Sequence, residues 1–439
     1  MPFLSTPPTT SLTASRLARV ERIYSLVVAL NWFATILPGA VIILFAQSRG
    51  LTLADVGLYV AVYGATAALL DLPTGNLADT LGRKRVVLLA YGCEVLAKLT
   101  LLFAFSLPTF LVYAVLGGLA RALGSGALEA WFVNALRDID AGVSLQPRLA
   151  RVNTVALLAL GAGSLLGASL PGVLQAASFT GTGLWSPLSA VVLASVVMHL
   201  LTLGVTWSVV HEVSRNQGTL LSALRQGMSG LPAGLREAAR LIRREDVLLW
   251  LLLIEILIGL VLAATETYWQ PFFAAQFGLG GAATGVFGVL LAGCFLAGVL
   301  GNVLARHLAS LVRGRVGLLG IITQGVQAAA LLALAWQGQG YVWLAAGCLW
   351  LTYFARAVFS SSFLALYNDR IPDARRSLML SVLSVAMFLG FSLGNLLLGA
   401  VSGRWSISWA WTLVALTLVL SLGVYSKLSV RGKRGLTNG

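Results

Sequence analysis

The sequence predicts an all-α membrane protein in which twelve transmembrane helices form two pseudo-symmetric six-helix bundles. Three observations lead there. Of the 439 residues, 58% are hydrophobic and only 10% are charged, with a mean hydropathy of +0.87, values foreign to a soluble domain. Twelve apolar stretches are long enough to cross a bilayer, where a helix of about 20 residues must satisfy its own backbone polar groups. The basic residues then fall almost wholly in alternate gaps between those stretches, which is a membrane topology written in charge.

In order, the spans are expected near Ile23–Phe45, Leu53–Ala78, Val86–Phe105, Phe110–Leu136, Val152–Leu174, Pro187–Val210, Val247–Phe273, Thr284–Ala305, Val316–Trp336, Val342–Tyr367, Leu378–Val401 and Trp405–Tyr425. Span 1 follows Arg16, Arg19 and Arg22, and the turn after it holds only Arg49. Arg83, Lys84 and Arg85 join spans 2 and 3, while Arg137, Arg148 and Arg151 join spans 4 and 5. After span 6 a long polar loop carries Arg215, Arg225, Arg236, Arg240, Arg243 and Arg244. In the second half Arg306, Arg313 and Arg315 follow span 8, and Arg370, Arg375 and Arg376 follow span 10. Arg404 stands alone before span 12, and Lys427, Arg431, Lys433 and Arg434 close the chain. Of 30 Lys and Arg residues, two lie in the gaps of one side and three inside spans; all others share the remaining side, which the positive-inside rule makes cytoplasmic together with both termini.

The pI near 10.3 therefore reflects topology and not nucleic-acid binding, since the charges are dispersed over loops. Cys93, Cys294 and Cys348 lie in separate spans and indicate neither a disulfide framework nor a metal site. The expected organisation is a disordered cytoplasmic N-terminus (1–20), a six-helix bundle (21–210), a cytoplasmic linker (211–246), a second bundle (247–427) and a cytoplasmic tail (428–439). The opening stretch is rich in Ser, Thr and Pro and lacks the basic start and apolar core of a signal peptide. In the linker, Leu235, Ala238, Ala239 and Ile242 alternate with Arg236, Arg240, Arg243 and Arg244, the pattern of an amphipathic helix on an anionic bilayer surface.

An internal repeat relates the halves. Gly75-Asn76, followed by Arg83 and Arg85, recurs as Gly301-Asn302, followed by Arg313 and Arg315. Ala120-Arg121-Ala122 recurs as Ala355-Arg356-Ala357, with Ser125 matching Ser360. Arg148, Gly163, Gly167 and Gly172 match Arg375, Gly390, Gly394 and Gly399 at one constant offset. Three matches in chain order point to a duplicated six-helix unit enclosing a central site, an architecture of transporters.

The stretch from Gly75 through Asp79, Gly82, Arg83, Lys84 and Arg85 resembles the signature loop of the major facilitator superfamily, with Thr80 where that family usually has a basic residue. Asp71 to Gly75 and Ser125 to Trp131 look like a bacterial exporter-like subgroup, and Asn368 to Pro372, followed by Arg375, Arg376 and Ser381, also resembles the family. The resemblance implies that Asp71, Gly75, Asp79, Gly82, Arg83 and Glu129 latch the two halves in an outward-facing state. Physically, Gly82 permits a tight turn, the basic triplet sits among headgroups, and Asp79 can accept hydrogen bonds from a helix N-terminus; Lys84 and Arg85 also read as plain topology residues. Gly117 to Gly126 is similar to the family's span 4 motif. Gly163 to Gly172 with Pro171 is similar to its antiporter motif, although small residues also serve close packing alone.

Charges within spans are costly and mark candidate functional sites: Asp71, Glu94, Lys98, Arg121, Glu129, Glu255, Glu266 and Arg356. Arg121 and Arg356 each lie near the midplane, and in the resembled fold spans 1, 4, 7 and 10 line the cavity, so the two arginines would face each other across the substrate path. They bind an anionic group, control the protonation of a nearby carboxylate, or pair structurally with Glu94 or Glu129. Glu94 and Lys98, four apart, read as an intrahelical pair, and Asp71 as a snorkelling, capping or transport residue. Glu255 and Glu266 share one face of span 7, beside Thr265, Tyr268 and Trp269; Asn31, Trp32 and Tyr353 add neutral contacts suited to an amphipathic ligand. The acids outnumber the bases, and an unpartnered acid in a medium that penalises charge is a candidate to take and release protons; Glu129, Glu255 and Glu266 are the three singled out.

The expected function is secondary active transport of a small organic solute across a bacterial cytoplasmic membrane by alternating access, as proton-coupled efflux of a drug or metabolite. The alternatives are an importer or uniporter of an organic anion and, more remotely, a membrane sensor or enzyme. The expected partners are the solute, protons and lipid, acting on a monomer without nucleic acid, cofactor or metal; no nucleotide-binding loop or zinc-protease spacing is present.

Overall fold

The computed structural model describes residues 9–74, 77–179, 181–212, 220–279, 281–337, 340–372 and 375–431. The first half comprises α1 (Thr9–Ile36), α2 (Ile42–Ser48), α3 (Leu53–Thr74), α4 (Leu77–Leu81), α5 (Arg83–Leu102), α6 (Leu107–Gly124), α7 (Ala127–Arg137), α8 (Gln146–Ala176) and α9 (Pro187–Val209). After α10 (Leu220–Arg244), the second half comprises α11 (Asp246–Leu262), α12 (Trp269–Phe277), α13 (Gly285–Leu311), α14 (Val316–Trp336), α15 (Val342–Asn368), α16 (Arg376–Arg404) and α17 (Ile407–Arg431). Ten of the helical rods are long and apolar enough to span a bilayer. The rods of α1 and α5 complete the twelve by packing among them, although Arg16, Arg19, Glu21 and Arg22 dilute the first and Arg83, Lys84, Arg85, Glu94 and Lys98 the second.

The neighbour pairs repeat. In the first half α1 packs on α8, α3 on α6, and α5 on both α6 and α9; in the second α11 packs on α16, α13 on α15, and α14 on both α15 and α17. The glycines matched in sequence sit at equivalent crossings. A Cβ on Gly163 of α8 would strike Ile36 and crowd the backbone of Phe33 on α1, and one on its mate Gly390 of α16 would strike the backbone of Ile256 on α11. Only a hydrogen at that position lets the backbones approach so closely.

Among the described residues three rods are interrupted. The first ends at Ile36 ahead of Pro38 and resumes as α2, so the span expected over Ile23–Phe45 is two helices joined by a turn. Span 4 breaks at Gly126, whose φ of +74° is left-handed. Span 7 widens into a π-turn over Ala263–Thr267, beside Pro271, whose missing N–H leaves the Thr267 carbonyl without its helical donor.

The N-terminus corrects the sequence reading. Residues 1–8 lie outside the described residues, but α1 begins at Thr9, so much of the stretch expected to be disordered is helix. The cause is tertiary: Leu17 is buried, and Glu21 pairs with Arg148 at 2.5 Å and Arg151 at 3.1 Å on α8. At the other end α17 runs to Arg431, past the expected limit of the bundle. The linker helix α10 is longer than its amphipathic stretch and lies against α3 and α4 of one half and α11 and α16 of the other. Glu237 pairs with Arg375, and Glu245 lies 3.9 Å from Arg370.

The cores differ at the two ends of the bundle. At the end away from the basic loops one core runs through both halves, joining Val41 and Ala168 to Trp269, Phe273, Phe287 and Trp411. At the basic end the halves have separate cores, one around Tyr24, Trp131 and Phe132 and one around Phe359, Phe363 and Tyr425. The molecule is shut at one end and split at the other.

Candidate functional site

The split opens into a central cavity with two connected chambers, of about 850 Å³ toward the second half and about 750 Å³ toward the first. Trp32, Tyr63, Arg121 and Asn153 belong to both chambers.

The closed end combines the shared apolar core with a few hydrogen bonds. Gln270, just past the π-turn, donates Nε2–H to the Gly39 carbonyl at 2.7 Å and accepts the Ile43 N–H at 3.0 Å, bridging spans 7 and 1. Tyr268 donates its hydroxyl to the Asn395 carbonyl at 2.9 Å, where α3 and α16 cross so closely that Gly57 has no room for a Cβ. The indole of Trp411 donates to the Ala264 carbonyl at 2.9 Å, tying α17 to the π-turn. Trp269 lies buried beside Phe273 and Phe287 and forms the floor of the cavity.

On the second-half wall, Arg356 places Nη1 3.6 Å from Glu266 and its guanidinium 5.0 Å from the centroid of Tyr353. Such an arrangement combines charge pairing with a cation–π contact. Glu255 faces the same chamber from an earlier turn of the same span, so span 7 presents both acids to the cavity as its periodicity requires. Arg121, the repeat mate of Arg356, is exposed and stands 5.9 Å from the ring centroid of Phe388. No described acid lies within ion-pair distance of it; the expected Glu94 and Glu129 partners both line its chamber but do not reach it. Asn31 and Glu129 line the first-half chamber, while Trp32 is common to both. All seven expected substrate contacts thus face the cavity, and so do the three acids singled out for protons.

The latch set divides. Gly75 and the Asp79 side chain lie outside the described residues. Asp71 accepts a hydrogen bond from Ser125 Oγ at 2.8 Å, which fastens α3 to the break in span 4. Gly82, at φ +89°, makes the turn into α5. The backbone N–H groups of Arg83 and Lys84 donate to the two carboxylate oxygens of Glu212 at 3.0 and 2.8 Å, and the Arg83 guanidinium reaches the side-chain oxygen of Asn134. The anion at this helix N-terminus is therefore Glu212, where the dipole favours it.

Glu212, Gln324 and Gln327 escaped sequence reasoning, which met Gln270 only as one of the polar residues around Glu266 and Asn302 only as a repeat position; Asn302, Gln324 and Gln327 line the second-half chamber. Gln324 and Gln327, three apart in an otherwise apolar span, carried a signal: they share one helix face. Among the described residues no three His, Cys, Asp or Glu side chains gather in a way that holds a metal ion.

A sequence model described as Major Facilitator Superfamily matches residues 24–352. No curated protein matches the sequence. Solved structures do resemble the fold. The nucleoside transporter NupG superposes with a TM-score of 0.71 at 12% identity, covering 93% of this chain and 98% of that one. A bacterial homologue of the human lysosomal transporter Spinster, described as inward-facing and unoccupied, gives 0.69 at 14% identity over 97% and 98%. The human organic anion transporter MFSD10 gives 0.59 at 17% identity over 96% and 100%.

Proposed function

The chain belongs to the Major Facilitator Superfamily, and from that premise we propose that it is a proton-coupled secondary transporter that exports a small amphipathic organic solute by alternating access. The observation that carries the reading is the cavity itself: both halves line it, it opens at the basic end, and packing plus a handful of hydrogen bonds seals its other end. With the basic loops in the cytoplasm of a bacterial cell, this is an inward-facing state ready to load solute from inside. In this reading Asn31, Trp32, Arg121, Trp269, Tyr353 and Arg356 contact the solute, whose apolar part lies over the aromatic floor.

Coupling follows from the pairing of Glu266. While ionised it neutralises Arg356; once protonated it releases that arginine, and solute and proton compete for one site. Glu255 and Glu129 offer further carboxylates along the cavity. The loop from Asp71 through Arg83, with Glu129, acts as the latch when the basic end closes, and α10, in contact with both halves, rides on that closure at the bilayer surface. The protein acts as a monomer, because each copy encloses a complete path.

A second reading, an importer or uniporter of an organic anion, is favoured by one observation, the absence of a described acid within ion-pair reach of Arg121. Counterflow in proteoliposomes with and without an imposed pH gradient separates the two. Proton-coupled export requires solute accumulation that follows the gradient, whereas uniport gives exchange that ignores it.

A further inference from the structure

A buried cluster beside the first-half chamber has a geometry that an ordinary ion pair does not explain. His199 on α9 is fully buried, and its Nδ1 lies 2.8 Å from the Ser195 carbonyl. A carbonyl oxygen can only accept, so Nδ1 carries the ring proton and Nε2 presents a lone pair. That lone pair faces Glu94 Oε2 on α5 at 3.9 Å, an acceptor opposed to an acceptor. The same carboxylate oxygen is 3.9 Å from Lys98 Nζ, well beyond the 2.7–2.9 Å of a charge-assisted hydrogen bond. Glu94 thus sits midway between a cation that favours its charged form and a lone pair it can satisfy only by carrying a proton.

We propose that Glu94, Lys98 and His199 form a proton-binding site in the cavity wall, in which Glu94 takes a proton from cavity water and exchanges its ion pair with Lys98 for a hydrogen bond donated to His199 Nε2. The step moves one proton from water to Oε2 and alters no other bond. Glu94 is the point of contact with solvent: its side chain is 17% exposed and lines the chamber, whereas Lys98 is 7% and His199 0% exposed. Sequence spacing indicated only an intrahelical Glu94–Lys98 pair; the histidine comes from span 6 and is brought in by the fold.

The surroundings suit a single exchangeable proton. On α5 the facing groups are Lys98, Tyr91 and the Cys93 thiol; α6 contributes Arg121 and Tyr113, with Lys98 5.5 Å from the Tyr113 centroid; α3 contributes Tyr63, and α9 contributes His199. From α1 comes the neutral Thr35, whose hydroxyl is 3.4 Å from His199 Nε2 and is the other group able to donate to that lone pair. Ser195, which orients the ring, also donates to the Ala34 carbonyl at 2.7 Å. Ala34 and Thr35 lie just before Gly39 and Ile43, the partners of Gln270 at the closed end. A change of partner at Glu94 therefore acts on the segment of span 1 that holds that end shut.

The role of this site in coupling rests on the proton-coupled reading, but the binding of its proton does not. Only three histidines occur in the chain, so ring-¹⁵N labelling of the protein in lipid nanodiscs resolves His199 once His199→Gln has identified its signals. Titration between about pH 5 and 9 should bring His199 Nε2 into a hydrogen bond as pH falls while Nδ1 keeps its proton, and infrared spectra should gain a protonated-carboxyl band with the same midpoint. Both changes should vanish in Glu94→Gln and in Glu94→Gln/Lys98→Met, the second of which leaves no unpaired lysine and serves if the first folds poorly. Invariant His199 signals, a titration that survives Glu94→Gln, or a fully protonated imidazolium at His199 would each overturn the proposal. A cluster that titrates in a protein showing no pH-driven transport would instead sink the function and spare the site.

Discussion

Arg121 and Arg356 occupy equivalent places in the two halves, yet one lies open to the cavity with no described acid in ion-pair range while the other is held 3.6 Å from Glu266 and stacked over Tyr353. The acids explain the contrast. In the second half Glu266 stands at the π-turn of span 7, in the cavity, whereas in the first half Glu94 stands on span 3, 3.9 Å from Lys98 and out of ion-pair range of Arg121. Duplication preserved the helix positions, and the acids settled on different spans. The result is a cavity in which a cation beyond reach of any described acid stands opposite a cation paired with an acid.

The largest effect should come from Glu266→Gln. It mimics a permanently protonated acid, so pH-driven accumulation should fall to the level without a gradient while solute exchange persists; retained uphill transport would move the coupling role to Glu255 or Glu129. The arginines should separate next. Arg121→Gln should raise the KM for solute by about tenfold, the loss of one charge-assisted contact, and leave thermal stability unchanged. Arg356→Gln should lower stability as well, because it leaves Glu266 without its partner. Equal behaviour of the two variants in thermal unfolding and transport would erase the asymmetry. Asp79→Asn should leave folding intact and impair turnover, and normal turnover in the folded variant would reduce Asp79 to a turn residue.

The smallest change is expected outside the cavity. Glu212→Gln keeps acceptor capacity but removes a charge from the N-terminus of α5, worth about 0.3–1 kcal/mol. A drop of a degree or two in the unfolding midpoint, with transport parameters unchanged, would separate this anchor from the latch.

Much of this was legible in the sequence because a charge in a bilayer is conspicuous. Arg121, Arg356, Glu255 and Glu266 stand out from apolar neighbours, and helix periodicity alone carries both acids to one side of span 7. The repeat was legible for a similar reason: Gly163 and Gly390 are required by close helix crossings that recur in each half. Contacts between distant segments left no such trace. Gln270 looks like one polar residue among several until Gly39 and Ile43 meet it across the two halves, and Glu212 looks like linker until the turn at Gly82 aims α5 at it. The N-terminus misled because Ser, Thr and Pro speak for local disorder, whereas Glu21 finds its arginines more than a hundred residues away.

The central claim is that the halves rock about the cavity, so that one end opens as the other closes. Gln270→Leu removes two hydrogen bonds from the closed end, together worth roughly 1–3 kcal/mol and enough to shift the balance by about 5- to 150-fold. Spin labels at Thr52 and Trp405 report on that end, and labels at Arg137 and Arg306 on the basic end, all four residues being exposed. Electron–electron distance measurements on Gln270→Leu in nanodiscs should show the first pair moving apart and the second drawing together in the same fraction of molecules. Unchanged distances at the basic end while the other end opens would mean a local loosening in place of a rocking motion, and would contradict the account.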